Sequence, residues 1–170
     1  MEQVILVDSK DNVLGYEEKF KCHHNPVKLH RAISVVIFND RNEMLITKRS
    51  SLKKTWPGFW TNACCSHPRR NETHEEAAKR RVREELGIEI EPKFLFKLEY
   101  SAKYDETWGE NELDWFFMAK HNGAIKPDKN EVEEWKYIGK EELKKDIKEN
   151  SNKYTPWFKI ALPKVLELYT

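Results

Sequence analysis

Short apolar runs separated by polar turn residues dominate the chain and predict a β-sheet. The run at 4–7 ends in a turn-rich segment, and the runs at 33–38 and 44–47 flank four polar residues, which is typical of a β-hairpin. Three later runs of the same kind are further candidate strands: 94–100, 113–118 and 135–138. Strands therefore make up most of the predicted regular structure.

Three other segments have helical features. A capping box at Thr73 opens an Ala- and Arg-rich helix that ends at Gly87. Residues 140–148 place charged and apolar side chains at helical spacing, and 157–169 predicts a last helix that Pro163 kinks or interrupts. Because these helices fall between or after pairs of strands, the pattern predicts an α+β fold with helices on a mixed sheet.

Composition narrows the class of protein. With 170 residues, 39% of them hydrophobic, and no repeat or linker, we expect residues 1–170 to form a single domain. A formal charge of +1 argues against a basic nucleic-acid binder. No apolar run approaches the roughly 20 residues of a membrane span, and the N-terminus lacks the pattern of a signal peptide. We therefore expect a cytoplasmic protein with no nucleic-acid or membrane partner, monomeric, with a dimer as the alternative.

Cysteine and histidine occur together in two places. The three cysteines are odd in number and two are adjacent, so a disulfide framework is excluded, and each lies near a histidine. Residues 60–68 contain Cys64, Cys65 and His67, and we expect them to form a loop or strand end exposed at the edge of the sheet. A thiol there could act as a nucleophile or a proton carrier. The alternative is that this segment only turns the chain.

Imidazoles and carboxylates could together bind a metal ion. Neutral imidazoles are common metal ligands, and the candidates are His23, His30 and His67, with His24 equally able to coordinate. Glu110 and Glu112 are two residues apart, so on an extended chain both point to one face, where a cation would offset their repulsion. Such a set suits six-coordinate Mg²⁺, Mn²⁺ or Fe²⁺ better than tetrahedral structural zinc. The alternative is a pair of solvated glutamates at a strand end.

The helix after Thr73 resembles the Nudix box, a loop–helix motif that binds Mg²⁺-diphosphate. The matching residues are Glu72, Arg80, Val82, Glu84, Glu85, Gly87 and Ile88. Two positions depart from the box: Ser66 replaces its opening glycine, and Arg81 replaces a glutamate. Because Nudix hydrolases rely on helix carboxylates to hold Mg²⁺, Arg81 argues against ordinary hydrolysis.

Nearly the whole chain resembles the type I isopentenyl-diphosphate isomerases, a Nudix-like family. Residues 60–68 match the family's T-N-x-C-C-S-H-P motif, residues 108–112 match its W-G-E-N-E motif, and Ser66 and Arg81 are the residues that this family carries. The resemblance implies an α/β/α sandwich with a mixed β-sheet flanked by helices. It also implies conversion of isopentenyl diphosphate to dimethylallyl diphosphate through a tertiary carbocation, in isoprenoid biosynthesis.

The resemblance also implies roles for individual residues. Metal ligands are expected at His23, His30, His67, Glu110 and Glu112. Proton transfer is expected from Cys65, Glu112 and Tyr100. Diphosphate contacts are expected from Lys19, Arg49, Lys53 and Arg81, an aromatic wall from Trp157, and a carboxylate for the diphosphate-bound Mg²⁺ from Glu85. At the His/Glu site the expected ion is Mn²⁺ or Mg²⁺, with Zn²⁺ or Fe²⁺ as alternatives.

The implied chemistry assigns the added proton to the Glu112 and Tyr100 side, cation stabilisation to the Trp157 face, and removal of the second proton to Cys65. Two other interpretations stay open at this point. A Nudix diphosphate hydrolase would release phosphate-containing fragments and has no use for Cys65. A non-catalytic metal- or diphosphate-binding module would make the combination of Cys65, Tyr100 and Glu112 a coincidence.

Overall fold

The computed structural model describes residues 1–169, which contain nine strands and four α-helices. The strands are β1 (Gln3–Val7), β2 (Val13–Glu18), β3 (His30–Phe38), β4 (Glu43–Arg49), β5 (Trp60–Thr61), β6 (Cys64–Ser66), β7 (Lys93–Lys103), β8 (Gly109–Lys120) and β9 (Val132–Gly139). The helices are α1 (Lys19–His23), α2 (His74–Leu86), α3 (Lys140–Glu149) and α4 (Pro156–Leu168).

Strand β3 is the centre of a mixed sheet. It pairs antiparallel with β1, β4 and β6 and parallel with β8. Strand β8 also pairs with β7, strand β4 with β5 and β9, and β1 with β2, all antiparallel. The predicted α+β class with a mixed sheet and flanking helices is confirmed.

Alternate residues of β3 face two different helices. Ile33, Val35 and Ile37 are fully buried in a core that also contains the apolar side of α2. Val36 and Phe38 lie in a second core with the apolar side of α4. Because side chains alternate along a strand, His30 and Ser34 share the α4 side of the sheet with Val36. That side carries the polar groups described below.

The predicted ends of α2 are confirmed. Thr73 Oγ1 accepts a hydrogen bond from the backbone N–H of Glu76 at 3.1 Å, and the Glu76 carboxylate accepts from the backbone N–H of Thr73 at 2.8 Å. Gly87 ends the helix in the left-handed region with φ of 68°. A Cβ on Gly87 would lie 2.7 Å from the carbonyl oxygen of Lys126, so both the backbone angle and the neighbouring segment require glycine.

Three local features differ from the predictions. Strand β2 and helix α1 were not predicted. The side chains of β2 are partly or fully exposed and leave no apolar pattern. Helix α1 has only five residues. Helix α1 begins where the Glu18 carboxylate accepts from the backbone N–H groups of Phe20 and Lys21. Pro163 does not interrupt α4, which runs continuously and buries Leu162 and Val165 on either side of it.

The predicted exposure of residues 60–68 is wrong. The segment forms β5 and β6, and β6 pairs with the central strand β3 through Ser34 opposite Cys65. Asn62 is 0% and Cys64 2% exposed. The segment is buried because β6 pairs with β3. This pairing joins residues that are distant in sequence, so the turn residues of the segment itself could not predict it.

Candidate active site

A cavity of about 380 Å³ opens on the α4 side of the sheet. Most of the predicted site residues line it: Lys19, His23, Arg49, Lys53, Cys65, His67, Arg81, Tyr100, Glu110, Glu112 and Trp157. The other two lie behind this lining, His30 at 0% and Glu85 at 5% exposed. The structure therefore brings the whole predicted set to one place.

Strand register assembles the histidine–glutamate cluster. Glu112 in β8 lies opposite His30 in β3 and opposite Tyr100 in β7. His23 comes from the last turn of α1, and His67 directly follows β6. One ligand atom from each of the three histidines and Glu112 lies within 4.8 Å of the others.

The histidine tautomers leave lone pairs facing this cluster. His23 Nδ1 lies 2.7 Å from the carbonyl oxygen of Lys19, and His30 Nδ1 lies 2.8 Å from that of Lys28. A carbonyl only accepts, so each Nδ1 carries a hydrogen, and in the neutral ring the lone pair is on Nε2. His30 Nε2 is buried without a hydrogen-bond partner among the described residues. Such hydrogen bonds behind the ring are typical of metal-ligating histidines.

Two carboxylates face these nitrogens. Glu112 Oε1 lies 3.0 Å from His67 Nε2 and 3.5 Å from His30 Nε2. Glu110 Oε2 lies 3.0 Å from His23 Nε2, while its other oxygen accepts from Thr55 Oγ1 at 3.1 Å. Imidazole nitrogens and carboxylate oxygens around one buried point are a donor set that fits a divalent cation.

The electrostatics of the cluster agree with that fit. Burial lowers the pKa of His30, but the neighbouring Cys22 and the Glu112 carboxylate have the larger effect and raise it to about 10. Burial alone would raise the pKa of Glu112, yet hydrogen bonds with His30 and His67 hold it well below the usual value. The cluster therefore favours an ionised Glu112 and attracts positive charge, which either a proton or a metal ion can supply.

Tyr100 and Glu112 form a tight pair. The Tyr100 hydroxyl donates to Glu112 Oε2 at 2.5 Å, and both side chains are buried. Burial and the Glu112 charge raise the pKa of Tyr100 well above its usual value. The shared hydrogen therefore resides on the phenol, which lines the cavity.

Cys65 and Cys64 face opposite sides of the sheet. Cys64 packs in the core beneath α2, whereas Cys65 lines the cavity. Cys65 Sγ lies 3.2 Å from Asn62 Oδ1 and 3.4 Å from Ser34 Oγ. Burial and the charge of Asp114 raise the pKa of Cys65 to about 12, so the thiol is the favoured form.

The opposite end of the cavity is rich in cationic side chains. Arg81 Nη2 lies 2.5 Å from Glu85 Oε1, and the Lys53 ammonium contacts the Glu131 carboxylate. Lys19 Nζ lies 3.1 Å from a carboxylate oxygen of Glu2. Lysine and arginine in a half-enclosed space are the groups that bind phosphate oxygens in proteins.

Comparison with known proteins places the chain in a family. The family model described as NUDIX domain matches residues 28–158. Isopentenyl-diphosphate Delta-isomerase 1 of Mesocricetus auratus is 41% identical, over 95% of this chain and 81% of the relative. The protein of the same name from Photorhabdus laumondii is 40% identical, over 98% of this chain and 96% of the relative. The chain belongs to the isopentenyl-diphosphate Delta-isomerases.

The isomerase shares its fold with more distant proteins. The crystal structure of a MutT NUDIX hydrolase from Burkholderia pseudomallei superposes with a TM-score of 0.65 at 20% identity, covering 81% of this chain and 98% of that one. At that identity the likeness concerns the fold alone, and it agrees with the expected Nudix-like sandwich. Among residues 1–169 of the isomerase, no helix has the length and apolar character needed to cross a membrane.

Trp157 forms the predicted aromatic side of the isomerase cavity. Its indole Nε1 donates to Thr61 Oγ1 at 3.1 Å, which fixes the ring. Trp56 meets it edge-on at 5.4 Å between ring centroids, and the Arg49 guanidinium lies 5.3 Å from its centroid. The tryptophan lies in the first turn of α4, so this helix supplies one wall of the cavity.

The sequence reasoning missed several polar residues of this isomerase site. Ser34 donates to Asp114 Oδ2 at 2.7 Å, and both are almost fully buried beside Cys65. Asp114 had a detectable signal, since it is two residues after Glu112 and therefore on the same face of β8. Asn62 had a weaker sequence signal, as a polar residue in the segment of Cys64 and Cys65. Glu131 had no sequence signal, because it reaches the cavity from a turn that is distant in sequence.

Proposed function

We propose that this chain converts isopentenyl diphosphate to dimethylallyl diphosphate in isoprenoid biosynthesis, adding a proton at one carbon and removing one from another through a tertiary carbocation. One observation supports this most strongly. A single cavity presents two proton-carrying groups, the Tyr100–Glu112 pair and the Cys65 thiol, together with a cationic end and an indole wall. Moving a double bond by adding one proton and removing another requires two such groups in one cavity.

The Tyr100–Glu112 pair suits the first proton transfer. An unactivated alkene is a very weak base, so the acid must be held against it where water does not compete. The Tyr100 hydroxyl carries the proton and is hydrogen-bonded to an ionised carboxylate, which can share that proton without a change of geometry. We assign addition of the proton to this pair.

Cys65 suits the second transfer, and its surroundings accommodate both protonation states. As a thiol it donates to Asn62 Oδ1. As a thiolate it can accept from Ser34, whose one hydroxyl hydrogen then turns from Asp114 to the sulfur. We assign removal of the second proton to Cys65 as a thiolate, which requires that its own proton has first passed to water. Because the thiol is the favoured form of Cys65, the reverse order, with Cys65 donating and the Glu112 carboxylate accepting, is the second candidate.

Trp157 and its neighbours suit a cationic intermediate. An indole face attracts positive charge, and Trp157 is fixed by its hydrogen bond to Thr61. Water would trap a tertiary carbocation as an alcohol, so an apolar wall also protects the reaction. In this proposal the substrate's hydrocarbon end lies against Trp157 and its diphosphate points toward Lys53 and Arg81.

Two divalent cations complete the proposal. The His/Glu cluster would hold Mn²⁺ or Mg²⁺, with Zn²⁺ or Fe²⁺ as alternatives, and Glu85 would help to hold Mg²⁺ on the diphosphate. When bound, such ions supply positive charge that offsets the carboxylates and the phosphates. The chain's residues in the cluster are those whose lone pairs already face one buried point: His23, His30, His67, Glu110 and Glu112.

Hydrolysis is disfavoured by the chemistry of α2. Arg81 stands where the Nudix box has a glutamate, and it lies 2.7 Å from a carboxylate oxygen of Glu84 and 2.5 Å from one of Glu85. The helix therefore has one carboxylate fewer than a hydrolase would use for Mg²⁺, while Glu85 remains for the diphosphate-bound ion. A hydrolase would also have no use for Cys65. The proposed substrate is a small prenyl diphosphate. We also propose that the chain forms one domain and acts as a monomer in the cytoplasm.

Product analysis with matched cysteine variants tests the proposal. The wild-type protein with isopentenyl diphosphate and Mg²⁺ is expected to form dimethylallyl diphosphate without releasing phosphate. Cys65→Ala should lower turnover at least about 100-fold, the scale of a lost proton carrier, while Cys64→Ala retains most of it. Phosphate release, or equal turnover by the two variants, would contradict the proposal.

A further inference from the structure

Glu131 is a cavity residue that the proposed reaction leaves without a role. Its carboxylate contacts the Lys53 ammonium through Oε2 and lies 3.4 Å from Arg81 Nη2 through Oε1. Lys53 and Arg81 are two of the cations assigned to the substrate's diphosphate. The Glu131 carboxylate thus lies between two cations that are also the proposed partners of a phosphate group.

The backbone fixes Glu131 at this place. Its N–H donates to the carbonyl of Asp128 at 3.0 Å, and its carbonyl accepts from the N–H of Ser50 at 3.0 Å. Asp128 N–H in turn donates to the carbonyl of Glu85 at 2.9 Å. These bonds tie the Glu131 turn to α2, which carries Arg81, and to the loop that carries Lys53.

The side chains that meet there are only partly covered. The exposed fractions are 26% for Lys53, 24% for Glu131 and 15% for Arg81. Ion pairs of this kind hold two long side chains in one arrangement but remain weak enough to exchange partners. The Glu131 side chain, unlike its backbone, is therefore free to swing aside when a stronger anion arrives.

We propose that Glu131 is a positioning residue that holds Lys53 and Arg81 in the empty cavity and is displaced by the phosphate groups of the substrate. The inference rests on the proposed diphosphate end of the site. A dianionic phosphate outcompetes a single carboxylate for two cations, so binding proceeds at the expense of these ion pairs. When product leaves, Glu131 returns to both cations, which weakens retention of the diphosphate.

This competition lowers the affinity for phosphate anions, because both cations are available only in the molecules in which Glu131 has moved aside. If those molecules are about one tenth of the population, the site binds about tenfold more weakly than its intrinsic affinity. Glu131→Gln removes the competing charge. Arg81 keeps its contacts with Glu84 and Glu85 in that variant, so its guanidinium stays at the cavity while its pairing with Glu131 is lost.

The test is calorimetric titration with inorganic pyrophosphate and, separately, inorganic phosphate, without divalent cations. Glu131→Gln should bind both anions about tenfold more tightly than wild type. Its KM for isopentenyl diphosphate should fall by more than its kcat changes. The matched control is Glu133→Gln, which removes the same charge from an exposed residue paired with Lys48, and it should bind within about twofold of wild type.

The sign of the effect separates this role from a merely structural one. Unchanged or weaker pyrophosphate binding by Glu131→Gln, with the wild-type unfolding temperature retained, would overturn the inference while leaving the isomerase proposal intact. A second pyrophosphate titration with Mg²⁺ present covers the remaining case. If Mg²⁺ tightens binding to wild type but not to Glu131→Gln, Glu131 is a cation ligand and the inference is overturned. If neither protein binds pyrophosphate and neither isomerises the substrate, both proposals fail.

Discussion

Tyr100→Phe removes one oxygen atom from the centre of the proposed reaction. The Tyr100 hydroxyl donates to Glu112 Oε2 at 2.5 Å, and Glu112 is held as a carboxylate by His30 and His67. Phenylalanine keeps the ring, and the ring lies in the core that contains Trp157. The fold should therefore persist while the carboxylate loses a donor and the cavity loses a proton.

The expected loss of kcat/KM follows from the energy of the hydrogen bond between Tyr100 and Glu112. A hydrogen bond to a charged group contributes about 1.5–3 kcal/mol. If the transition state depends on that bond, each 1.36 kcal/mol lost slows the reaction about tenfold, so kcat/KM should fall by about 10- to 150-fold. Loss of the proton itself adds to this figure, which is therefore a lower bound.

Steady-state isomerisation of isopentenyl diphosphate provides the assay. The matched control is Tyr137→Phe, which removes a hydroxyl that donates to the carbonyl of His121 at 3.0 Å and does not line the cavity. That variant should keep its kcat/KM within about twofold of wild type. Equal kcat/KM for Tyr100→Phe and wild type would refute the role given to this pair.

Three further outcomes are expected. Exhaustive chelation should abolish isomerisation and added Mn²⁺ or Mg²⁺ should restore it; full activity of metal-free protein would count against the His/Glu site. Burial, with Arg31 and Lys97 nearby, lowers the pKa of His74 to about 4 from 6.5. As the pH falls, the unfolded chain binds a proton at His74 before the folded chain does. The free energy of unfolding should therefore decrease as the pH falls from 6.5 to 4, and denaturant titrations should show a smaller decrease for His74→Gln. Gly87→Ala should lower the free energy of unfolding by about 1–2 kcal/mol or more, and an unchanged melting temperature would contradict the left-handed helix end.

The parts of the fold that could be predicted from sequence are those with a local signal. The capping residue Thr73 and the left-handed Gly87 act within one helical turn, so their patterns bound α2 correctly. Apolar runs likewise predicted the central strands β3, β4 and β8. The short helix α1 was missed because five residues carry too little periodicity, although it is the element that delivers His23.

The parts of the site that could not be predicted depend on pairing between distant strands. Residue type and spacing made Cys65, His67 and Glu112 candidates, and the family resemblance gave them roles. The register of β3 with β6 and β8 brings them together. The same register buries residues 60–68, which local turn signals had placed on the surface. Glu131 enters the cavity through backbone contacts with segments far away in sequence, and no local pattern could indicate that.

The most direct test of proton transfer between two sides of the cavity is proton NMR of isopentenyl diphosphate in D₂O with Mg²⁺, using wild-type protein and Cys65→Ala. Wild type should replace the vinylidene signals by dimethylallyl signals, with deuterium in the newly formed methyl group. Cys65→Ala should exchange deuterium into the vinylidene group without forming product, because Tyr100 and Glu112 still add and withdraw a proton there. A product free of deuterium, or phosphate release from an intact isopentenyl group, would contradict the account.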